Sequence, residues 1–150
     1  MAQTNPVKWS ASIEKVDDVT YQVVIDATIN RTFHIYDMGP YNDVTPTNFT
    51  FEPSGGYELV GEIVPSVAPK VAFDEMFGHD VGTWEGRVRF VQKLRPRNNT
   101  DVKLSVEWMA CNEESCIPPS EKSFTLEIKD FVAPVEIGRA SCRERVCLSV

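Results

Sequence analysis

Short runs of alternating apolar and polar residues constrain the fold of this chain more than any other feature. In the clearest run, one side is formed by Val102, Leu104, Val106 and Trp108. Alternation with a period of two residues is typical of β-strands that bury one face. Similar runs predict strands at residues 21–29, 84–90 and 124–128, and shorter strands at Lys8–Ile13, Thr32–Tyr36, Asn48–Phe51, Tyr57–Ile63 and Lys70–Phe73.

The segments between these runs are rich in residues that interrupt regular structure. The chain has 10 prolines and 8 glycines, and they recur between the predicted strands. Each proline removes a backbone donor and breaks a helix, so this spacing excludes long helices. Many short strands in a chain of 150 residues predict one all-β domain. We expect an antiparallel β-sandwich of two sheets, with a barrel as the alternative.

Charge and hydropathy argue against two classes of protein. The net charge is −7, whereas a nucleic-acid-binding protein needs a basic face for phosphate contacts. The apolar runs are too short for a membrane span. Residues 1–7 lack the basic and apolar regions of a complete signal peptide, which leaves a cytosolic protein or an exported one whose start is missing. We interpret residues 1–7 as an N-terminal extension, the remnant of a signal peptide.

Cys111 and Cys116 flank a predicted turn between two strands and are followed by Pro118 and Pro119. A disulfide across the mouth of this hairpin is geometrically reasonable. Loop entropy gives such a small ring only about 2 kcal/mol of stability. An accessible ring at a hairpin tip suits thiol–disulfide exchange, because an attacking thiolate reaches its sulfurs. A structural disulfide and half of a metal site remain open as alternatives at this point.

The C-terminal segment differs in character from the rest of the chain. Residues 136–150 read EIGRASCRERVCLSV and resemble the translation of a common sequencing adapter. We therefore interpret residues 132–150 as the start of a linker followed by a non-native tail, and we expect the domain to span residues 8–131. Cys142 and Cys147 repeat the spacing of the first pair, as in a four-cysteine zinc site. If the tail is foreign this match is coincidence, and we expect no metal.

Two motifs together resemble the N-terminal periplasmic domain of the thiol:disulfide interchange protein DsbD. The first is WMAC-x4-CIPPSEK, and the second is DEMFG at residues 74–78. The resemblance covers roughly residues 6–130. It implies an immunoglobulin-like β-sandwich located in the periplasm.

The resemblance also implies an activity and partners. It implies protein-disulfide reductase activity, with Cys116 forming the mixed disulfide with a partner and Cys111 resolving it, without a cofactor. Electrons are expected from a thioredoxin-like domain and are passed to a periplasmic disulfide isomerase or to a thioredoxin of cytochrome c maturation. The parent protein is expected to be embedded in the membrane. The alternative from another class is a non-catalytic immunoglobulin-like binding or adhesion module with a structural disulfide.

In the same family resemblance, the DEMFG segment corresponds to a cap loop over the cysteines. Met76 and Phe77 are expected to supply its apolar cover, and Asp74 or Glu75 to tune or transfer a proton. The family has an aromatic residue where this chain has Met76. The expected neighbours of the active site are His34, Tyr36 and Pro118. We interpret His79 as a lone surface histidine.

Overall fold

The structure, a computed structural model, describes residues 5–39, 41 and 43–132. Its regular elements in these ranges are eleven strands: β1 (Val7–Lys15), β2 (Tyr21–Ile29), β3 (His34–Tyr36), β4 (Asn48–Phe51), β5 (Tyr57–Pro65), β6 (Lys70–Asp74), β7 (His79–Trp84), β8 (Arg87–Pro96), β9 (Asp101–Trp108), β10 (Ala110–Cys111) and β11 (Ser120–Glu127). The same ranges contain no helix long and apolar enough to cross a membrane. The 136–150 segment and most of the N-terminal extension lie outside the described residues.

The strands form three antiparallel sheets. Sheet A has the order β1-β2-β8-β5, sheet B the order β10-β3-β7-β6, and sheet C the order β11-β9-β4. One hydrophobic cluster is built from residues of all three sheets, so sheets B and C together form the layer that faces sheet A. The prediction of an all-β, immunoglobulin-like antiparallel sandwich is confirmed.

Aromatic side chains join the two layers of the sandwich. Phe90 of sheet A is fully buried, and its ring centroid lies 4.8 Å from that of Phe49 in sheet C and 5.2 Å from that of Trp84 in sheet B. Trp9 of sheet A lies 5.3 Å from Trp108 of sheet C. Such tilted and edge-on pairs add to the stabilisation from burial itself. All three tryptophans therefore belong to the core.

The alternating face of residues 84–90 is divided between two strands, which differs from the prediction. β7 ends at Trp84 and β8 begins at Arg87, with Gly86 between them at a φ of +72°. This left-handed conformation favours glycine because the residue has no Cβ. The Gly86 carbonyl accepts a hydrogen bond of 2.7 Å from the Ile29 amide, which holds the turn against the end of β2.

The hairpin that carries the cysteines crosses from one sheet to another. β9 pairs with β11 in sheet C, and after Met109 the chain continues as β10, which pairs with β3 in sheet B. Successive side chains of a strand point to opposite faces, so sheet B has two different faces. Ile35 and Ala110 point into the main core, whereas Tyr36 and Cys111 belong to a second cluster on the opposite face. The crossing thus places Cys111 outside the main core but still in apolar surroundings.

Candidate functional site

Cys111 and Cys116 are joined by a disulfide, with their Cα atoms 3.9 Å apart. Asn112 shapes the turn between them, because its side-chain oxygen accepts hydrogen bonds of 2.8 Å from the amides of Glu114 and Ser115. This is the local pattern by which an asparagine side chain stabilises a turn. The turn within the small ring is therefore closed by local hydrogen bonds to one side chain.

The two sulfur-bearing residues differ in their access to solvent. Cys111 is only 1% exposed, whereas Cys116 is half-buried at the edge of the same cluster. The sequence predicts an accessible ring, and that expectation is wrong for Cys111. Its burial follows from β10, which places its side chain on the face of sheet B that carries Tyr36 and Val81. An attacking group from outside therefore meets Cys116 first.

We call the apolar surroundings of the disulfide the outer cluster. Its buried members are Tyr36, Val44, Val81 and Cys111, and residues packed against them are Tyr41, Phe77, Met109 and Cys116. The loop that carries Val44 is anchored by Thr47, which is fully buried and whose hydroxyl donates a hydrogen bond of 2.6 Å to the Tyr36 carbonyl. The outer cluster is therefore assembled from β3, β7, β10, the residues that flank β10 and two loops.

His34 and Tyr36, both predicted as neighbours of the site, lie on β3 beside the cysteine. Nε2 of His34 is 3.0 Å from the Tyr36 hydroxyl, and the rings meet edge to face. Burial lowers the pKa of His34, opposed by the negative charges of Glu85 and Asp74. Burial, together with the charge of Asp74, raises the pKa of Tyr36 to about 12, so its hydroxyl keeps its proton. Both groups are therefore uncharged at neutral pH.

The predicted cap loop lies between β6 and β7. The Asp74 carboxylate accepts hydrogen bonds from the amides of Met76, at 2.8 Å, and Phe77, at 3.2 Å. The Asp74 carbonyl accepts another from the amide of Gly78, which has a φ of +78°. Asp74 thus shapes the loop from within, while Glu75 is exposed.

Met76 and Phe77 point to different surroundings. Phe77 packs against the outer cluster, with its ring edge-on to Tyr36 at 5.9 Å. Met76 is 60% exposed, so the expectation that it helps to cover the cysteines is wrong. The turn that Asp74 stabilises thus presents these two consecutive side chains to different surroundings. Pro118, the last predicted neighbour, is exposed just after the disulfide.

A polar pair at the rim of this site is not predicted by the sequence. His79 is not a lone histidine, because its Nε2 lies 2.9 Å from the Asp43 carboxylate and its ring stacks on Tyr41 at 6.0 Å. A hydrogen bond to the Asp80 carbonyl and the pairing with Asp43 raise the pKa of His79. Asp43 lies 36 residues before His79, so no local spacing signals the pair.

The four-cysteine zinc site finds no support in the described part of the chain. Cys142 and Cys147 lie outside the described residues, and Cys111 and Cys116 are bonded to each other. Within residues 5–39, 41 and 43–132, no group of three or more histidine, cysteine, aspartate or glutamate side chains is arranged to hold a metal ion.

Comparison with known proteins gives one family. The family model described as "Thiol:disulfide interchange protein DsbD, N-terminal" matches residues 4–128. A search of curated proteins gave no match.

Three similar solved structures have related descriptions. The N-terminal periplasmic domain of ScsB from Proteus mirabilis is 13% identical, with a TM-score of 0.62 over 85% of this chain and 48% of that one. The reduced DsbD n-terminal domain of Neisseria meningitidis is 17% identical, with a TM-score of 0.54 over 78% and 83% of the two chains. The same domain in a complex with the PilB N-terminal domain is 16% identical, with a TM-score of 0.55 over 78% and 80%. The chain thus spans about half the length of the ScsB structure, and at these identities the likeness shows the fold.

Proposed function

The chain belongs to the DsbD N-terminal domain family, and on this premise we propose that it relays reducing equivalents through Cys111 and Cys116. Membership of the family implies thiol–disulfide redox activity in general. The proposal is more specific: the domain accepts electrons from a thioredoxin-like domain and passes them to oxidised proteins of the periplasm. Residues 8–131 are the unit that we propose carries this activity.

The observation that carries the proposal is the asymmetry of the disulfide. Cys116 is half-buried at the rim of the outer cluster, whereas Cys111 is 1% exposed within it. In thiol–disulfide exchange one sulfur meets the partner and the other completes the reaction inside the protein. The two environments suit these two tasks. A purely structural disulfide in so small a ring would contribute only about 2 kcal/mol.

The chemistry consists of two thiolate attacks in each direction. In the reduced domain, the Cys116 thiolate attacks the disulfide of an oxidised partner, forms a mixed disulfide and releases one partner thiolate. The Cys111 thiolate then attacks Cys116, restores the internal disulfide and releases the second partner thiolate. Two electrons and two protons have then passed to the partner. The reverse sequence, with a reduced thioredoxin-like donor, returns both cysteines of the domain to the thiol form.

We propose that the cap loop controls access to Cys116. Phe77 packs on the outer cluster, and the Asp74 carboxylate holds the loop in this conformation. Displacement of Phe77 by a docked partner would expose Cys116 fully only within that complex, which is how lids protect reactive groups. The exposed Met76 and Glu75 lie beside Phe77, where an approaching partner would meet them first.

The location and partners in the proposal follow from relatives. The ScsB domain is described as periplasmic, and the Neisseria DsbD domain has been solved in a complex with a PilB domain. For this chain we propose a periplasmic location and a membrane-embedded parent protein. We propose a disulfide isomerase or a thioredoxin of cytochrome c maturation as the electron acceptor.

Replacement of each cysteine by serine tests the proposal. Cys116→Ser should abolish transfer to a purified thioredoxin-like domain, because the sulfur that meets the partner is gone. Cys111→Ser should form a mixed disulfide with the same domain and fail to release it. Both outcomes are measured by non-reducing electrophoresis and mass spectrometry. A disulfide that no thioredoxin-like domain reduces would instead support the structural role in a binding module.

A further inference from the structure

His34 lies directly across the sheet from the buried cysteine. In the antiparallel pairing of β10 with β3, Cys111 is opposite His34. Opposite residues of an antiparallel pair project to the same face, with Cβ atoms about 4.5–5.5 Å apart. The hydrogen-bond distance from His34 to Tyr36, which shares the outer cluster with Cys111, agrees with this placement. The fold therefore brings an imidazole and a thiol together.

The surroundings of His34 keep its imidazole neutral, which is the form that can act as a base. The groups that influence it are Tyr36 on its own strand, Asp74 at the end of β6 and Glu85 after β7. Burial is the largest influence and lowers the pKa of His34 from its ordinary value of 6.5. The ring is therefore neutral at pH 7, with one nitrogen available as a base. When Nε2–H donates to the Tyr36 hydroxyl, Nδ1 keeps the lone pair.

Cys111 needs such a base in the second step of exchange. Its side chain is 1% exposed, so water has little access to it. Burial in apolar surroundings disfavours a charged thiolate, which is the form that attacks a disulfide. Cys116, at the rim, does not face the same obstacle, because bulk solvent can take its proton. The two steps therefore differ in their demand for an internal proton acceptor.

We propose that His34 accepts the proton of the Cys111 thiol as that thiol attacks Cys116, an inference that rests on the exchange function proposed above. Nδ1 takes the proton, and a bond forms between the two sulfurs of Cys111 and Cys116. The bond from Cys116 to the sulfur of the other molecule breaks, and that sulfur leaves with the electron pair. His34 then gives the proton to the departing thiolate or to water. In the reverse direction, protonated His34 returns the proton to Cys111 as it leaves.

Reaction of the reduced chain with dipyridyl disulfide separates the two steps. Attack by Cys116 releases one thiopyridone, and attack by Cys111 on the resulting mixed disulfide releases the second. We expect His34→Gln to slow the second release by roughly 100-fold at pH 7, the lower range for loss of a general base. The first release should be unchanged. His79→Gln is the matched control, because His79 is the only other histidine of the chain and pairs with Asp43 at the rim.

The pH dependence distinguishes a proton acceptor from a structural residue. In the unmodified chain, the rate of the second release should level off above the pKa of His34, which is below 6.5 and is measured by NMR titration of the reduced protein. In His34→Gln the rate should keep rising with pH, and added imidazole should restore part of it in His34→Ala.

Each outcome has a separate meaning. A second release that is unaffected by His34→Gln, or a plateau in the unmodified chain unrelated to the His34 titration, would overturn the role of His34 and leave the relay intact. If the unmodified chain released no second thiopyridone, the relay itself would fail. The profile of the unmodified chain needs no variant, so it decides the question even if the variants fold poorly.

Discussion

The two faces of sheet B have the same strands but opposite chemistry. The inner face contributes apolar residues such as Ile35 and Trp84 to the main core. The outer face contributes His34, Tyr36 and Cys111 to the surroundings of the disulfide. Because strand residues alternate between faces, each residue of the site has a core residue as its immediate neighbour along the chain.

This difference shows how a small sandwich can carry reactive groups without weakening its core. The inner face is sealed by sheet A, so its stability depends on tight packing. The outer face is covered by loops, including Phe77 and the segment of Val44. Loops of this kind open locally at lower free energy than the core does. The proposed chemistry thus occupies the face that can open while the fold persists.

The largest effect that tests this comparison is expected at Phe90 of the inner core. Phe90 is 0% exposed and contacts Trp9, Phe49 and Trp84. Phe90→Ala should lower the free energy of unfolding by about 3–5 kcal/mol in urea denaturation. Phe73→Ala is the matched control, because Phe73 is 62% exposed and its loss should change stability little. Equal losses in the two variants would contradict the assignment of the core.

An effect of intermediate size is expected at Phe77, and it concerns the rate of disulfide reduction and not the stability of the fold. Half-burial of a phenyl ring is worth about 1 kcal/mol, so Phe77→Ala should open the outer cluster and speed reduction of the disulfide by dithiothreitol roughly five- to tenfold. The exposed Met76 offers the control, since Met76→Ala removes little contact with the disulfide. The rates are measured by quenching with iodoacetamide and mass spectrometry. A faster reaction in Met76→Ala alone would show that the cover lies there instead.

The inner face was much easier to predict from sequence than the outer one. Burial of one side of a strand leaves a period of two, and the face from Val102 to Trp108 is buried as that period predicts. The break at Gly86 was missed because an alternating run does not reveal a change of sheet. The crossing between β9 and β10 was missed for the same reason, and with it the burial of Cys111.

The outer cluster depends on contacts between residues that are distant in sequence. The family resemblance pointed to Asp74, Phe77, His34 and Tyr36, but it also placed Met76 over the cysteines, where the structure leaves it exposed. Asp74 uses its carboxylate to shape the cap loop, and this turns Met76 outward. Such an outcome depends on the two hydrogen bonds that one side chain accepts, which composition and periodicity do not encode.

The smallest effect on stability is expected at the rim, where His79 pairs with Asp43. Their side chains are 41% and 46% exposed, and an exposed pair contributes little to stability. The pKa of His79 is raised in the folded state, so the pair stabilises the protein below the unfolded value of 6.5. That contribution is lost as the pH rises through the folded pKa. Burial shifts the pKa of His34 in the opposite direction. His34 therefore contributes to stability above pH 6.5, and this contribution is lost as the pH falls through its folded pKa.

Asp43→Asn tests the rim pair without removing a residue of either hydrophobic cluster. It should move the NMR titration midpoint of His79 down towards 6.5, because the carboxylate that favours the charged ring is gone. It should lower Tm by no more than about 2 °C near pH 6 and leave it unchanged near pH 9. Asp80→Asn is the control, since Asp80 contacts His79 through its carbonyl. A Tm difference for Asp43→Asn that persisted near pH 9 would mean that Asp43 supports the loop beside Val44 independently of His79. The stability of the outer cluster would then depend on Asp43 itself and not on the charge of His79.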